Sequence, residues 1–194
     1  VRGRYLVGAE GANSAVRDAA GIDFEGFTWP ERFLVVSTPF DFTKPFPDLC
    51  MVNYFADPEE WYFLLKVPGL WRAMFPTRAE EDEESIMADE TAQRRLRRVH
   101  DSGAPYEVKH KTLYQVHQRV AGRYRAGRCF LAGDAAHINN PLGGMGMNGG
   151  VHDAHNLGRK LAQVMTGAAA PDILDQYEAE RRPVALEYIN KHTI

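Results

Sequence analysis

The sequence predicts an α/β fold, and three observations carry that prediction. Two short apolar strands, Arg4-Tyr5-Leu6-Val7-Gly8 and Cys129-Phe130-Leu131-Ala132, each run into a glycine-containing turn that leads to a helix. Between them the chain changes to β-rich runs broken by Pro- and Asp-rich segments, the pattern of an antiparallel meander. Beyond residue 145 it reads as two helices. An α+β sheet at 23–127, with one helix, is thereby inserted into a layer built from 1–22 and 128–167, and a C-terminal helix occupies 168–194.

Each element follows in order. Residues 4–8 form a strand that ends at a glycine, and Gly8-Ala9-Glu10-Gly11-Ala12-Asn13-Ser14 is the turn after it. Asn13 or Ser14 is placed to cap a helix over 14–20, which Gly21 stops. Arg32–Ser37 and Met51–Ala56 are the first β-rich runs. Trp61–Val67 and Leu70–Pro76 continue the meander, with Pro68-Gly69 as a hairpin turn between them. Glu80–Val99 is expected to be one solvated helix, acidic at its start and basic at its end, each exposed charge gaining ~0.3–1 kcal/mol from the helix dipole. Lys111–Val120 alternates with a period of two, as a half-exposed strand does. A long helix is expected from Gly146 to Met165 and a last one from Ile173 to His192, with Pro183 as a kink.

Composition excludes several classes. At 194 residues, 44% hydrophobic and 11% aromatic, the chain can bury a core and is neither disordered nor fibrous. The net charge is -3, and Lys and Arg are interspersed among acids, which excludes a nucleic-acid-binding face. Cys50 and Cys129 lie far apart with no second ligand cluster, which argues against zinc and disulfides and for a reducing, cytoplasmic setting. No apolar run approaches the ~18 residues of a membrane span. The oligomeric state is left open, a homo-oligomer included. A dinucleotide-binding unit starts with strand, GxGxxG turn and helix, with an acidic residue about 20 residues later, and that unit is not found. Since the chain opens at Val1 directly on a strand, it reads as part of a longer polypeptide with an incomplete nucleotide site.

Chemistry concentrates around Asp134. A carboxylate at the C-terminal end of a parallel-type strand, beside glycines, suits bonds to ligand hydroxyls such as those of a ribose or ribityl chain, and its competing role is a helix cap. Gly143–Gly150 holds five glycines in eight residues, and each interior glycine costs ~1 kcal/mol relative to Ala, so a ligand is expected against that backbone. The helix N-terminus there offers partial positive charge to an electron-rich ring.

These residues also carry a resemblance. Gly8-Ala9-Glu10-Gly11-Ala12-Asn13-Ser14-Ala15-Val16-Arg17 resembles a fingerprint of FAD-dependent aromatic hydroxylases of the para-hydroxybenzoate hydroxylase type. Gly133-Asp134-Ala135-Ala136-His137 with Pro141-Leu142-Gly143-Gly144-Met145-Gly146-Met147-Asn148 resembles that family's second flavin fingerprint. Tyr177-Glu178-Ala179-Glu180-Arg181-Arg182-Pro183 resembles the helix that follows, so the resemblance runs the length of the chain. Glu10 departs from it, standing where the family usually has Asp.

The resemblance implies an incomplete FAD/NAD(P)-binding fold, with the α+β substrate sheet inserted in an FAD-binding, Rossmann-like layer. Gly133 and Asp134 would meet the ribityl part of FAD. Gly143, Gly144, Met145, Gly146, Met147 and Asn148 would meet the pyrimidine edge of the ring, and Pro141 would lie near ring and substrate. Gly11 and Arg17 would help hold the FAD region and assist the pyridine nucleotide. The implied reaction is NAD(P)H reduction of FAD, addition of O2 to give a flavin hydroperoxide, and hydroxylation of a small phenolic substrate, with no protein nucleophile. The substrate would lie between flavin and inserted sheet, with Tyr54, Trp61, Phe63, Phe75 and His117 as candidate walls; His117 is the best acid–base candidate, since imidazole titrates near neutrality. Two rivals stand beside this reading: a same-fold halogenase or reductase, and a catalytically silent binding module.

Overall fold

The computed structural model describes residues 2–141 and 144–191. In chain order the elements are β1 (Leu6–Gly8), α1 (Ala15–Ala19), β2 (Phe24–Thr38), β3 (Val52–Phe55), β4 (Tyr62–Val67), β5 (Leu70–Pro76), α2 (Glu83–Met87), α3 (Asp89–Val99), β6 (His110–Ala121), β7 (Arg125–Ala126), β8 (Cys129–Leu131), β9 (His137–Ile138), α4 (Met145–Met165) and α5 (Asp175–Lys191). Short 3-10 turns lie at Gly133–Ala135 and Pro171–Leu174. The chain divides into two compact units, one made of residues up to Thr28 and from Val116 onward, the other of Trp29–Gln115.

In the first unit β1 runs parallel to β8, with Val7 opposite Phe130, and β7 pairs with β8 as an antiparallel neighbour. Glu10 anchors the turn after β1: its carboxylate accepts from the Val16 amide at 2.8 Å and from the Ser14 hydroxyl at 2.9 Å. Ser14 is the N-cap of α1, its hydroxyl accepting from the Arg17 amide at 3.0 Å. The core of this unit includes Tyr124, Phe130, Leu131, Leu157, Leu174 and Tyr177.

The run Tyr177–Arg182 binds α5 to this unit through five polar side chains, each with its own partner. Tyr177 donates to the Leu131 carbonyl at 2.7 Å. Glu178 accepts from the amides of Tyr124 and Arg125. Glu180 accepts from Lys160 and Asn156 on α4, at 2.7 and 2.6 Å. Arg181 donates to Asp153 at 2.8 Å, and Arg182 to the Ala121 carbonyl at 2.9 Å. Buried Tyr177 and its part-exposed neighbours each satisfy a specific partner, which is why the motif needs these residue types at these places.

The second unit is an antiparallel sheet in the order β3-β4-β5-β2, with α2 and α3 packed on one face. Strand parity sorts its residues. Leu34, Val36, Tyr62, Leu64, Trp71, Ala73 and Phe75 point to the core shared with Ile86, Leu96 and Val99. Tyr54 and Phe63 are cross-strand partners, and their odd-even position places them on the opposite face.

Two sequence expectations are corrected here. Glu80–Val99 is not one helix: Ala88 is extended (ψ 145°), and α2 and α3 meet there. Tertiary and side-chain bonds stabilise the break, since Thr91 Oγ1 donates to the Ser85 carbonyl and Lys111 Nζ to the Met87 carbonyl, satisfying carbonyls at the end of α2. Nor is the segment merely solvated, because Ile86, Ala92, Arg95, Leu96 and Val99 are buried. The last helix also starts later than expected, at Asp175, after a 3-10 turn that begins with Pro171.

Candidate cofactor site

The site is built where β8 ends. Gly133 has φ 60°, in the left-handed region that glycine enters without strain, and turns the chain into the 3-10 segment carrying Asp134. A Cβ on Gly150 of α4 would lie 3.4 Å from the Gly133 Cα, so the two glycines let helix and turn approach backbone to backbone. Asp134 is exposed, and its carboxylate makes no hydrogen bond or ion pair among the described residues. It is not a cap either, for Ala132 flanks the 3-10 turn and Gly144 is the N-cap of α4.

Gly144 (φ 66°) starts α4 with no side-chain cap among the described residues, and the first-turn amides have no helical partner. Met145, Met147 and Asn148 are exposed, Met147 at 80%, and Asn148 Nδ2 donates back to the Gly144 carbonyl at 2.9 Å. Gly146 is half-buried, and Pro141 is exposed and accepts from the Gly144 amide at 3.1 Å. Gly143 lies outside the described residues. Gly144–Gly149 does have GxGxxG spacing, which sequence reasoning passed over. It is reached from the loop after β9, not directly from a strand, and Gly149 is spent on packing: a Cβ there would meet the His137 ring at 2.9 Å.

Beneath these groups lies a buried polar cluster that sequence reasoning missed. Asp153 of α4 is fully buried, and its Oδ2 accepts from the Gly133 amide at 3.1 Å and pairs with His137 Nε2 at 2.8 Å. Its Oδ1 accepts from Arg181 Nε at 2.8 Å. Burial pushes the Asp153 carboxyl up, but the bonds from His137 and Arg181 outweigh it and hold the group below the usual carboxylate range. A signal was present: Asp153, Leu157 and Lys160 have the i, i+4, i+7 spacing of one buried stripe, so two charges sit where apolar residues are expected.

The remaining predicted residues fall out as follows. Arg17 is buried, with its guanidinium bonded to the carbonyls of Ala135 (3.2 Å) and Ala12 (2.8 Å) and lying 4.0 Å from the Phe24 ring centre. It therefore ties the turn after β1 to the Asp134 segment. Gly11 (φ 93°) has open space where a Cβ would be. His117 Nδ1 is 2.7 Å from the Thr28 hydroxyl. In the other unit Tyr54 is 60% exposed and Trp61 packs edge-on against Phe33. Phe75 is a correction: only 1% exposed, it belongs to the core on the helix-covered face, where Arg95 lies over its ring, and it is not available as a substrate wall.

The donor set fits a flavin nucleotide. An exposed carboxylate can accept from a polyol chain, and amides at a helix N-terminus can donate to ring carbonyls, beside a close glycine–glycine approach of turn and helix. Fold and site thus define a cofactor-binding α/β protein. The chain belongs to the FAD binding domain family, whose profile matches residues 1–191. It is 38% identical over 197 residues to para-nitrophenol 4-monooxygenase of Pseudomonas sp. strain WBC-3, covering 97% of this chain and 47% of that protein. It is 36% identical over 189 residues to pentachlorophenol 4-monooxygenase of Sphingobium chlorophenolicum, covering 96% and 35%. Among solved structures, p-nitrophenol 4-monooxygenase of Pseudomonas putida superposes with a TM-score of 0.83 at 34% identity, over 95% of this chain and 47% of that one. The flavin-dependent monooxygenase PieE, solved with FAD and substrate, gives 0.85 at 28% identity over 96% and 33%. The chain therefore spans half or less of the length of these relatives. No helix among the described residues is long and apolar enough to cross a membrane.

Proposed function

We propose that this chain is the flavin-holding and substrate-covering portion of a cytoplasmic FAD-dependent monooxygenase that hydroxylates a small aromatic, phenolic substrate with NAD(P)H and O2. The observation that carries the reading is the exposed Asp134 carboxylate, without a partner among the described residues, beside the N-terminus of α4, which no described side chain caps. Similarity to phenol monooxygenases supports the substrate class.

FAD, when bound, supplies hydride acceptance and oxygen activation. The protein supplies the rest. Asp134 would accept hydrogen bonds from ribityl hydroxyls, and the amides around Met145–Asn148 would hold the pyrimidine edge, where their partial positive charge would favour an electron-rich ring. Gly133 would leave room for that approach, and Pro141 would lie beside the ring. Arg17 and Gly11 act through the backbone of the turn after β1. Tyr54 and Trp61 offer the substrate an aromatic surface, with Phe63 buried beneath Tyr54 at 7% exposure and so not itself a wall, and His117 with the Thr28 hydroxyl is the candidate proton relay.

The test is an absorption spectrum of the polypeptide after incubation with FAD and desalting, followed by anaerobic NADPH or NADH with a panel of phenols including 4-nitrophenol. Retained flavin that bleaches faster in the presence of one phenol is the expected result. Flavin that is retained but reduced at the same rate with every phenol would overturn the hydroxylase reading. If this chain retains none, the measurement moves to the intact polypeptide, and an intact protein that also retains none would overturn the cofactor site itself.

A further inference from the structure

We infer that Asp153 is a positioning residue that fixes the Asp134 turn against the N-terminus of α4, and so sets the geometry of the flavin cradle; the inference rests on the FAD site proposed above. Three donors from three elements converge on this one buried carboxylate: the Gly133 amide at the head of the Asp134 turn, His137 of β9, and Arg181 of α5. Asp153 itself rides on α4, two turns beyond the uncapped end. The two halves of the cradle are therefore linked by a single group that touches neither ligand nor solvent.

The packing shows why a pin is needed. The first turns of α4 approach the Asp134 turn and His137 through Gly150 and Gly149, which bring no side chain to interlock. An apolar cavity of about 150 Å³ lies beside them, lined by His137, Met145, Gly149, Ala185 and Tyr188 among others. That space leaves room for a shift of the helix end, which the bonds to Asp153 oppose.

Asparagine cannot replace this carboxylate. With its amide nitrogen turned to Arg181, donor faces donor; with the nitrogen turned to Gly133, the glycine amide loses its acceptor. Volume is kept while the pin is lost. The comparison variant is Glu180→Ala, which removes another polar tie between α4 and α5, that of Lys160 and Asn156, further from the cradle.

Amide hydrogen exchange is measured first, without flavin. Asp153→Asn is expected to speed exchange at Gly133 and over 145–150 by about tenfold, while Glu180→Ala leaves those amides within about twofold. FAD affinity by fluorescence quenching follows, with Kd raised about tenfold by Asp153→Asn and within about twofold for Glu180→Ala. If Asp153→Asn does not fold, Arg181→Lys keeps the charge and is expected to give the same local pattern at about threefold. Unchanged exchange at Gly133 and 145–150, or an equal change in Glu180→Ala, overturns the positioning role. A parent protein that binds no FAD sinks the cofactor reading instead, and the exchange data still judge the pin.

Discussion

The two units of this chain hold their interiors together by different means. In Trp29–Gln115 the core is a parity pattern: alternate residues of β2, β4 and β5 meet the apolar face of α3, and many identities would serve. In the other unit the apolar core is threaded by buried or half-buried polar groups with specific partners, among them Asp153, Arg181, Lys160, Tyr177 and Arg17. A substitution there leaves a donor or charge unpaired, so few replacements serve. The difference explains why the flavin fingerprints are recognisable as words while the inserted sheet is recognisable only as a rhythm.

The largest expected effect tests the parity half of that contrast. Phe75→Ala should cost about 3–5 kcal/mol, as truncation of a buried aromatic does, read from denaturant unfolding followed by Trp71 emission. A cost under about 1 kcal/mol would return Phe75 to the list of accessible walls.

A second pair compares two arginines on α3. Arg95 is buried and donates to the Pro76 carbonyl at 2.6 Å while pairing with Glu60 at 3.0 Å and Glu81 at 3.4 Å. Arg98 reaches Asp57 and Glu59 from a half-exposed position. Arg95→Met should cost about 2–4 kcal/mol and Arg98→Met under about 1 kcal/mol, since exposed pairs are screened by water. A cost as small for Arg95→Met as for Arg98→Met would confine polar specificity to the flavin-holding unit, whereas the expected difference places one buried polar tie in the sheet unit as well.

The strands and the glycine-rich turns were legible because apolar alternation and glycine clustering are local signals. A cap at Asn13 or Ser14, which the structure resolves to Ser14, Pro68-Gly69 as hairpin and α4 almost to the residue follow from such signals. The break at Ala88 was not legible: alanine is the best helix former, and Lys111, which caps the end of α2, is remote in sequence. Asp153 was missed for a related reason. A polar residue in a helix reads as surface until its spacing from Leu157 and Lys160 is checked, and its three donors come from 16 to 28 residues away. The side-chain parity that removes Phe75 from the substrate face was present in the sequence, but which face the helices cover is a tertiary fact.

A pH titration sharpens the contrast from the polar side. The bonds to Asp153 hold its folded-state pKa below the ordinary value, so ionised Asp153 contributes stability above the unfolded-state pKa of ~3.9. That contribution is lost as pH falls through the lower, folded-state value. The stability gap between the parent and Asp153→Asn should therefore be flat above about pH 5 and narrow on acidification. Urea unfolding at a series of pH values measures it, and a gap that widens in acid would reverse the assigned sign.

The smallest expected change in stability belongs to Tyr54→Ala. At 60% exposure, and with only the Phe63 ring as a close aromatic neighbour at 5.5 Å, Tyr54 contributes little to the sheet, and its removal should shift stability by about 0.5 kcal/mol or less. The same change in the intact polypeptide should weaken phenol binding by about three- to tenfold, read from substrate-dependent flavin fluorescence, because an aromatic contact of ~0.5–1.5 kcal/mol would be gone. Phe75→Ala is expected to do the reverse, lowering stability with little direct effect on phenol affinity at temperatures where the protein stays folded. If Tyr54→Ala were to leave phenol affinity untouched, the exposed aromatic face of the sheet would have no claim on the substrate, and the walls would have to be sought elsewhere in the longer protein.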